Sequence, residues 1–192
     1  TFAGSESWWP PRPDPGPEAP NIVIVLADDL GFSDLGCYGS EIPTPNLDRL
    51  AGDGLQFTNF HVTPMCSPTR AALLTGVNPH RAGAGHVANS DPGFPGYAAE
   101  LADDVATAAE VFRDAGYSTF AIGKWHLTKD SDLSDAGPRH SWPCQRGFDR
   151  YYGCLAGATH YYEPYGARIM HDGNTPDPAP KSTADRPFYT TD

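Results

Sequence analysis

Asn21-Ile-Val-Ile-Val-Leu-Ala27 is an unbroken apolar run, mostly β-branched, that stops abruptly at Asp28-Asp29. It lacks the alternation of a half-exposed strand and has the form of one buried on both faces of a parallel sheet. Ahead of it, prolines at 10, 11, 13, 15, 17 and 20 forbid a helix or a central strand, so residues 1–20 read as a Pro-rich leader arm. Trp8 and Trp9 in that arm are expected to pack on the outside of the domain. After the run, Thr44 caps a short helix that opens at Pro45 and ends in glycines, and 55–62 follows as a strand. Pro68 to Gly76 reads as a second helix whose first turn begins just after Cys66 and which is closed by Gly76. Residues 77–100 are a Gly, Asn and His-rich loop. Residues 104–115 form an amphipathic helix carrying Val105, Ala108, Ala109 and Phe112 on one face, with Gly116 as its stop. The strand at 117–122 then runs into Gly123-Lys-Trp-His-Leu127, and 172–187 reads as loop.

Alternating strands and helices predict an α/β domain over residues 21–192, with a largely parallel central sheet flanked by helices. Ligands in such sheets gather at the carboxyl ends of the strands, where Asp28-Asp29 and Lys124-Trp-His126 both fall. The chain has 192 residues, room for one sizeable core, and its 20 glycines and 20 prolines imply many turns. A formal net charge of -11 argues against sequence-independent nucleic-acid binding, which needs a basic face. An anionic ligand would require clustered cations or a metal to reverse the field locally. No apolar run approaches a membrane span. There are four cysteines, at 37, 66, 144 and 154. With Cys66 committed to chemistry the odd remainder favours a reducing, cytoplasmic compartment over a periplasmic or secreted one, and a Cys144–Cys154 bridge stays open.

Three motifs carry chemistry. Adjacent carboxylates such as Asp28 and Asp29 repel unless a cation lies between them, and oxygen-only ligands suit calcium or magnesium, although an Asp pair is also common in turns. Cys66-Ser-Pro-Thr-Arg70 stands at a helix start, where free N–H groups and the dipole favour an anion or thiolate. The dipole contributes about 0.3–1 kcal/mol, so Arg70 and a metal must supply most of the charge stabilisation; a structural cysteine beside a cap is the plain alternative. Lys124 and His126 alternate around Trp125, which places a fixed cation and a titratable group on one side of an extended segment and the indole on the other. A histidine of near-neutral pKa there can protonate a leaving oxygen while the lysine holds an anionic ester.

Taken together, Ala27-Asp-Asp-Leu-Gly-Phe-Ser-Asp-Leu-Gly36, Thr44-Pro-Asn-Leu-Asp48, Cys66-Ser-Pro-Thr-Arg70 with Leu74-Thr-Gly76, and Gly123-Lys-Trp-His-Leu127 resemble, in order and spacing, the type I sulfatases of the alkaline phosphatase superfamily. The resemblance covers roughly residues 21–192 and matches the N-terminal portion of that fold. It implies a sulfuric ester hydrolase whose nucleophile is a formylglycine (3-oxoalanine), made from Cys66 by a formylglycine-generating enzyme that reads Cys66, Pro68 and Arg70. It implies that Asp28, Asp29 and the group at Cys66 ligate calcium, or magnesium in its place. Arg70 would hold the formylglycine, and Lys124 and His126 would contact the sulfate or the hydrated aldehyde. Asp149 and the Tyr-rich segment 151–165 are expected near the substrate mouth, and His86 and His160 have no assigned role. The family's further metal ligands and a later His and Lys are expected beyond residue 192. Phosphonate monoester and phosphodiester hydrolases share the Cys-x-Pro-x-Arg motif and form one alternative; a noncatalytic, truncated sulfatase-like fragment is the other.

Overall fold

The computed structural model describes residues 4–6, 8, 10, 11, 13–162, 164 and 168–177. Its centre is a four-stranded sheet in the order β1 (Phe120–Lys124), β2 (Arg150–Cys154), β3 (Met170–Asp172) and β4 (Thr175–Asp177). β1 and β2 run parallel, paired from Phe120↔Arg150 to Lys124↔Cys154, while β2–β3 and β3–β4 are antiparallel. The described sheet is therefore mixed rather than largely parallel. Its parallel pair is joined by a crossover holding single-turn helices at Asp130–Asp132 and Pro143–Arg146. Trp142, Leu127 and Leu155 from and around this crossover are fully buried, and with Trp125, Tyr151 and Met170 they make the main core. Each indole finds an acceptor: Trp125 Nε1 donates to the Ser141 carbonyl and Trp142 Nε1 to that of Asp132, both at 2.9 Å.

The described residues hold three α-helices: α1 (Pro45–Asp53), α2 (Cys66–Thr75) and α3 (Ala108–Asp114). α1 starts at Pro45 as expected, but the Thr44 side chain does not cap it. The Thr44 hydroxyl instead donates to Asp48 Oδ1 and accepts from the Gly36 N–H, tying the helix start to the turn at Gly36–Tyr38. α2 includes Cys66 itself and ends where Gly76 turns left-handed (φ 69°), a conformation glycine adopts without a Cβ penalty. α3 begins at Ala108, four residues later than the amphipathic pattern predicts, because Thr107 and Glu110 form a capping box. The Glu110 N–H donates to Thr107 Oγ1 (3.1 Å) and the Thr107 N–H to Glu110 Oε2 (2.6 Å), while Asp104 is drawn to Arg81.

Two predicted strands do not form. Residues 21–27 carry no regular structure and are unpaired, with Val23 and Val25 more than 80% exposed, and 55–62 is likewise irregular and exposed. A strand exists through its ladder bonds, and among the described residues nothing pairs with either segment. Ile22, Val23 and Ile24 face α3 and β1 across an open groove. The 117–122 strand is shifted to Phe120–Lys124, which carries it through Lys124. β3 and β4 extend order past residue 172, into the stretch read as loop, and residues 178–192 lie outside the described part. Trp8 is exposed rather than packed, and Trp9 is not described. All four cysteines are free thiols, so the Cys144–Cys154 bridge is not formed.

Candidate active site

The site lies where three segments meet: the turn after residues 21–27, the first turns of α2 and the end of β1. Within α2, Cys66 and Arg70 are four residues apart and share a face. The chain then brings Lys124 and His126 to that face by a route plain strand alternation does not supply. His126 has a left-handed backbone (φ 56°), a conformation costing a non-glycine residue about 1 kcal/mol or more. It is held there because the Trp125 and His126 N–H groups donate to the Cys154 and Leu155 carbonyls, extending the β1–β2 pairing past its end. Trp125 packs into the core on the opposite side, edge-on to Phe148.

Nδ1 of His126 stands 3.0 Å from Sγ of Cys66. Arg70 donates through Nη1 to the Lys124 carbonyl, and its Nη2 lies 3.5 Å from Asp28 Oδ1. The Lys124 ammonium donates to Asp28 Oδ2 at 2.8 Å. Asp28 thus joins two cations that are themselves mostly buried. Burial pushes its carboxyl pKa up, but the bond and charge of Lys124, aided by Arg70, outweigh that and hold it below the usual value. Burial likewise dominates at His126, reinforced by the charges of Lys124 and Arg70 against a smaller opposing effect of Asp28; its pKa falls to about 4. At neutral pH this imidazole is uncharged, so it does not begin as the protonated acid that a near-neutral pKa would make it.

Asp28, Asp29, Cys66 and Arg70 line one cleft of about 500 Å³ together with apolar side chains that include Phe32, Tyr38, Phe57 and Phe60. Asp29 enters it on a left-handed backbone (φ 55°), exposed to solvent. Asp149 is not at this mouth: its carboxylate accepts from the Thr119 N–H at 3.0 Å and anchors the start of β1. Tyr151 is buried in the core, and of segment 151–165 residues 163 and 165 are not described. One residue that motif reading overlooked is Gly157. It lies so close to the outer edge of the His126 ring that any Cβ would overlap Nε2, so glycine there lets the loop after β2 close over the imidazole. A lone glycine in Cys154-Leu-Ala-Gly157 gave no sequence signal for that role.

This arrangement, a cysteine at a helix start faced by a neutral imidazole and ringed by Arg, Lys and paired aspartates, sits on a fold that agrees with one family. The sulfatase family pattern matches residues 20–190, and the chain belongs to that family. It is 40% identical over 147 residues to an arylsulfatase of Klebsiella aerogenes, covering 76% of this chain and 30% of that protein. It is 42% identical over 137 residues to human steryl-sulfatase, covering 70% and 23%. Among solved structures, Ps i-CgsB superposes with a TM-score of 0.69 at 29% identity, covering 84% of this chain and 38% of the other. The PsFucS1 sulfatase from Pseudoalteromonas sp. gives 0.54 at 31%, covering 70% and 25%. The chain spans less than a third of the length of these two curated relatives.

Proposed function

We propose that this chain forms the nucleophile-bearing part of a sulfuric ester hydrolase in which Cys66 is matured to formylglycine and Asp28 and Asp29 contribute oxygen ligands to calcium. The observation that carries the reading is the 3.0 Å approach of Cys66 Sγ to a neutral, buried His126 beside the Arg70–Asp28–Lys124 cluster. The residues suit both groups. Arg70 Nε is buried without an acceptor, and an oxygen-bearing side chain at position 66, one helical turn away, would offer it one. Two adjacent carboxylates on the same cleft give a hard cation oxygen donors, though fewer than the six to eight calcium takes. Formylglycine would supply an oxygen nucleophile, and calcium would make that oxygen easier to deprotonate and offset the charge of the ester.

The remaining work falls to side chains already in place. Lys124 and Arg70 create a local positive field within an acidic chain and are positioned to clamp a sulfate ester. Nδ1 of His126, uncharged at neutral pH, can take a proton from the group at position 66 and hand it to a leaving oxygen. Phe32, Tyr38, Phe57 and Phe60 favour an ester of an apolar alcohol, in keeping with aryl or steryl sulfates, the substrates that the names of two relatives state.

The test is the mass of the tryptic peptide Leu50–Arg70, which contains Cys66 as its one cysteine, from material made beside a formylglycine-generating enzyme. An aldehyde or its hydrate is expected. An unmodified thiol under those conditions would overturn the proposal. Assay of the matured chain on an aryl sulfate and on an aryl phosphonate monoester separates sulfatase from phosphonate hydrolase chemistry.

A further inference from the structure

Away from this cleft, the crossover between β1 and β2 folds back on the segment before α3 and brings Glu100, Asp132 and His140 together. One carboxylate oxygen from each acid and one ring nitrogen of the histidine lie within 4.8 Å of one another. Glu100 and Asp132 are over nine-tenths buried, whereas His140 is half-exposed. Lys129 neutralises one acid, its ammonium standing 2.7 Å from Glu100 Oε1, and Ser131 donates to Asp132 Oδ1 at 2.8 Å.

The other two oxygens accept no hydrogen bond. Glu100 Oε2 and Asp132 Oδ2 are both inaccessible to solvent and both lack a hydrogen-bond donor. His140 Nε2 comes to 3.0 Å of Glu100 Oε2, but the angle is not that of a hydrogen bond. A buried carboxylate oxygen without a donor is costly, more so when charged, and here there are two of them with Lys129 paired to only one of the acids. Two carboxylate oxygens that accept no hydrogen bond, converging with a ring nitrogen in ion-pair range of one of them, have the disposition of ligands around a shared ion. Ligand atoms of a tetrahedral ion at about 2 Å lie about 3.3 Å apart, a separation within reach of small rotations of these side chains.

We infer that Glu100, Asp132 and His140 form a second divalent-cation site, distinct from the Asp28–Asp29 cleft, that takes a first-row transition ion of the zinc type. The donor chemistry sets the class: an imidazole with two carboxylates suits zinc, whereas calcium prefers oxygen alone. The site is a clamp rather than a second reaction centre. It pins the crossover that begins at His126 to the segment leading into α3, and Asp132 is itself held by the bond from Trp142 to its carbonyl. Lys129 is the competitor: its ammonium occupies part of the charge a metal would balance, and the burial-resistant rise in its own pKa, driven first by Glu100, reflects that attraction.

The experiment uses the untagged chain stripped of metal, titrated with zinc alone by calorimetry and with cobalt by visible absorption. One zinc per chain and a cobalt spectrum typical of low coordination are expected. His140→Ala, at a half-exposed position that leaves the core intact, should weaken binding about tenfold or more. Lys129→Met should tighten it severalfold, whereas in a purely ionic network the same change would only destabilise the fold. The Asp28→Ala, Asp29→Ala double variant should bind zinc as the wild type does, even if it abolishes calcium binding and so removes the proposed catalytic metal. Absence of zinc binding by the wild-type chain, unchanged binding by His140→Ala, or loss of zinc in the Asp28, Asp29 variant would each overturn the inference.

Discussion

The depressed pKa of His126 predicts a specific acid sensitivity. An unfolded histidine binds its proton near pH 6.5, and the folded His126 does so only at about 4. Between those values the unfolded chain holds more protons, so stability is complete above pH 6.5 and is lost as pH falls toward 4. A shift of this size sets a ceiling of about 3 kcal/mol, which solvent screening of an incompletely buried ring lowers to about 2 kcal/mol. The measurement is urea unfolding of wild type and His126→Gln at pH 7.5 and at pH 4.5. Asp28, whose carboxyl is held below 3.8, adds its own loss only at more acid pH, and His171, also depressed by burial, is common to both proteins. The wild type should therefore lose about 2 kcal/mol more than the variant on acidification. An equal loss in the two proteins would refute the argument, as would a His126 resonance that titrates near pH 6.5.

Gly157→Ala should force the imidazole off Cys66. The rate of Cys66 alkylation by iodoacetamide in the unmatured chain should then change in the same direction as in His126→Ala. Trp142→Ala removes a fully buried indole and its bond to Asp132, and should cost about 3–5 kcal/mol in denaturant unfolding. Asp149→Ala leaves the Thr119 N–H without its carboxylate and should cost about 1–3 kcal/mol, with no effect on Cys66 reactivity. Because Val23, Val25 and Ile122 are exposed, this chain should bind a hydrophobic dye. Val23→Ser with Val25→Ser should lower that binding while shifting stability by about 0.5 kcal/mol or less per site.

What the sequence by itself determined was whatever depends on neighbours in the chain. Helix α1 opens at Pro45, α2 closes at Gly76, and Cys66 and Arg70 share a face through helical spacing alone. The ordered motifs from Asp28 to His126 also identified the family, since order and spacing are properties of the chain. Thr107-x-x-Glu110, a capping box visible in the sequence, sets the start of α3 inside the longer amphipathic stretch. Tertiary structure decided the rest. Residues 21–27 have every local mark of a buried strand, but pairing is a relation to another segment, and none of the described residues supplies it. The left-handed turn at His126, its uncharged imidazole, the close approach of Gly157 and the meeting of Glu100 with Asp132 and His140 each depend on which distant residues fold against them. Burial and charge act through space, so a pKa or a ligand set is fixed only when the chain has closed around it.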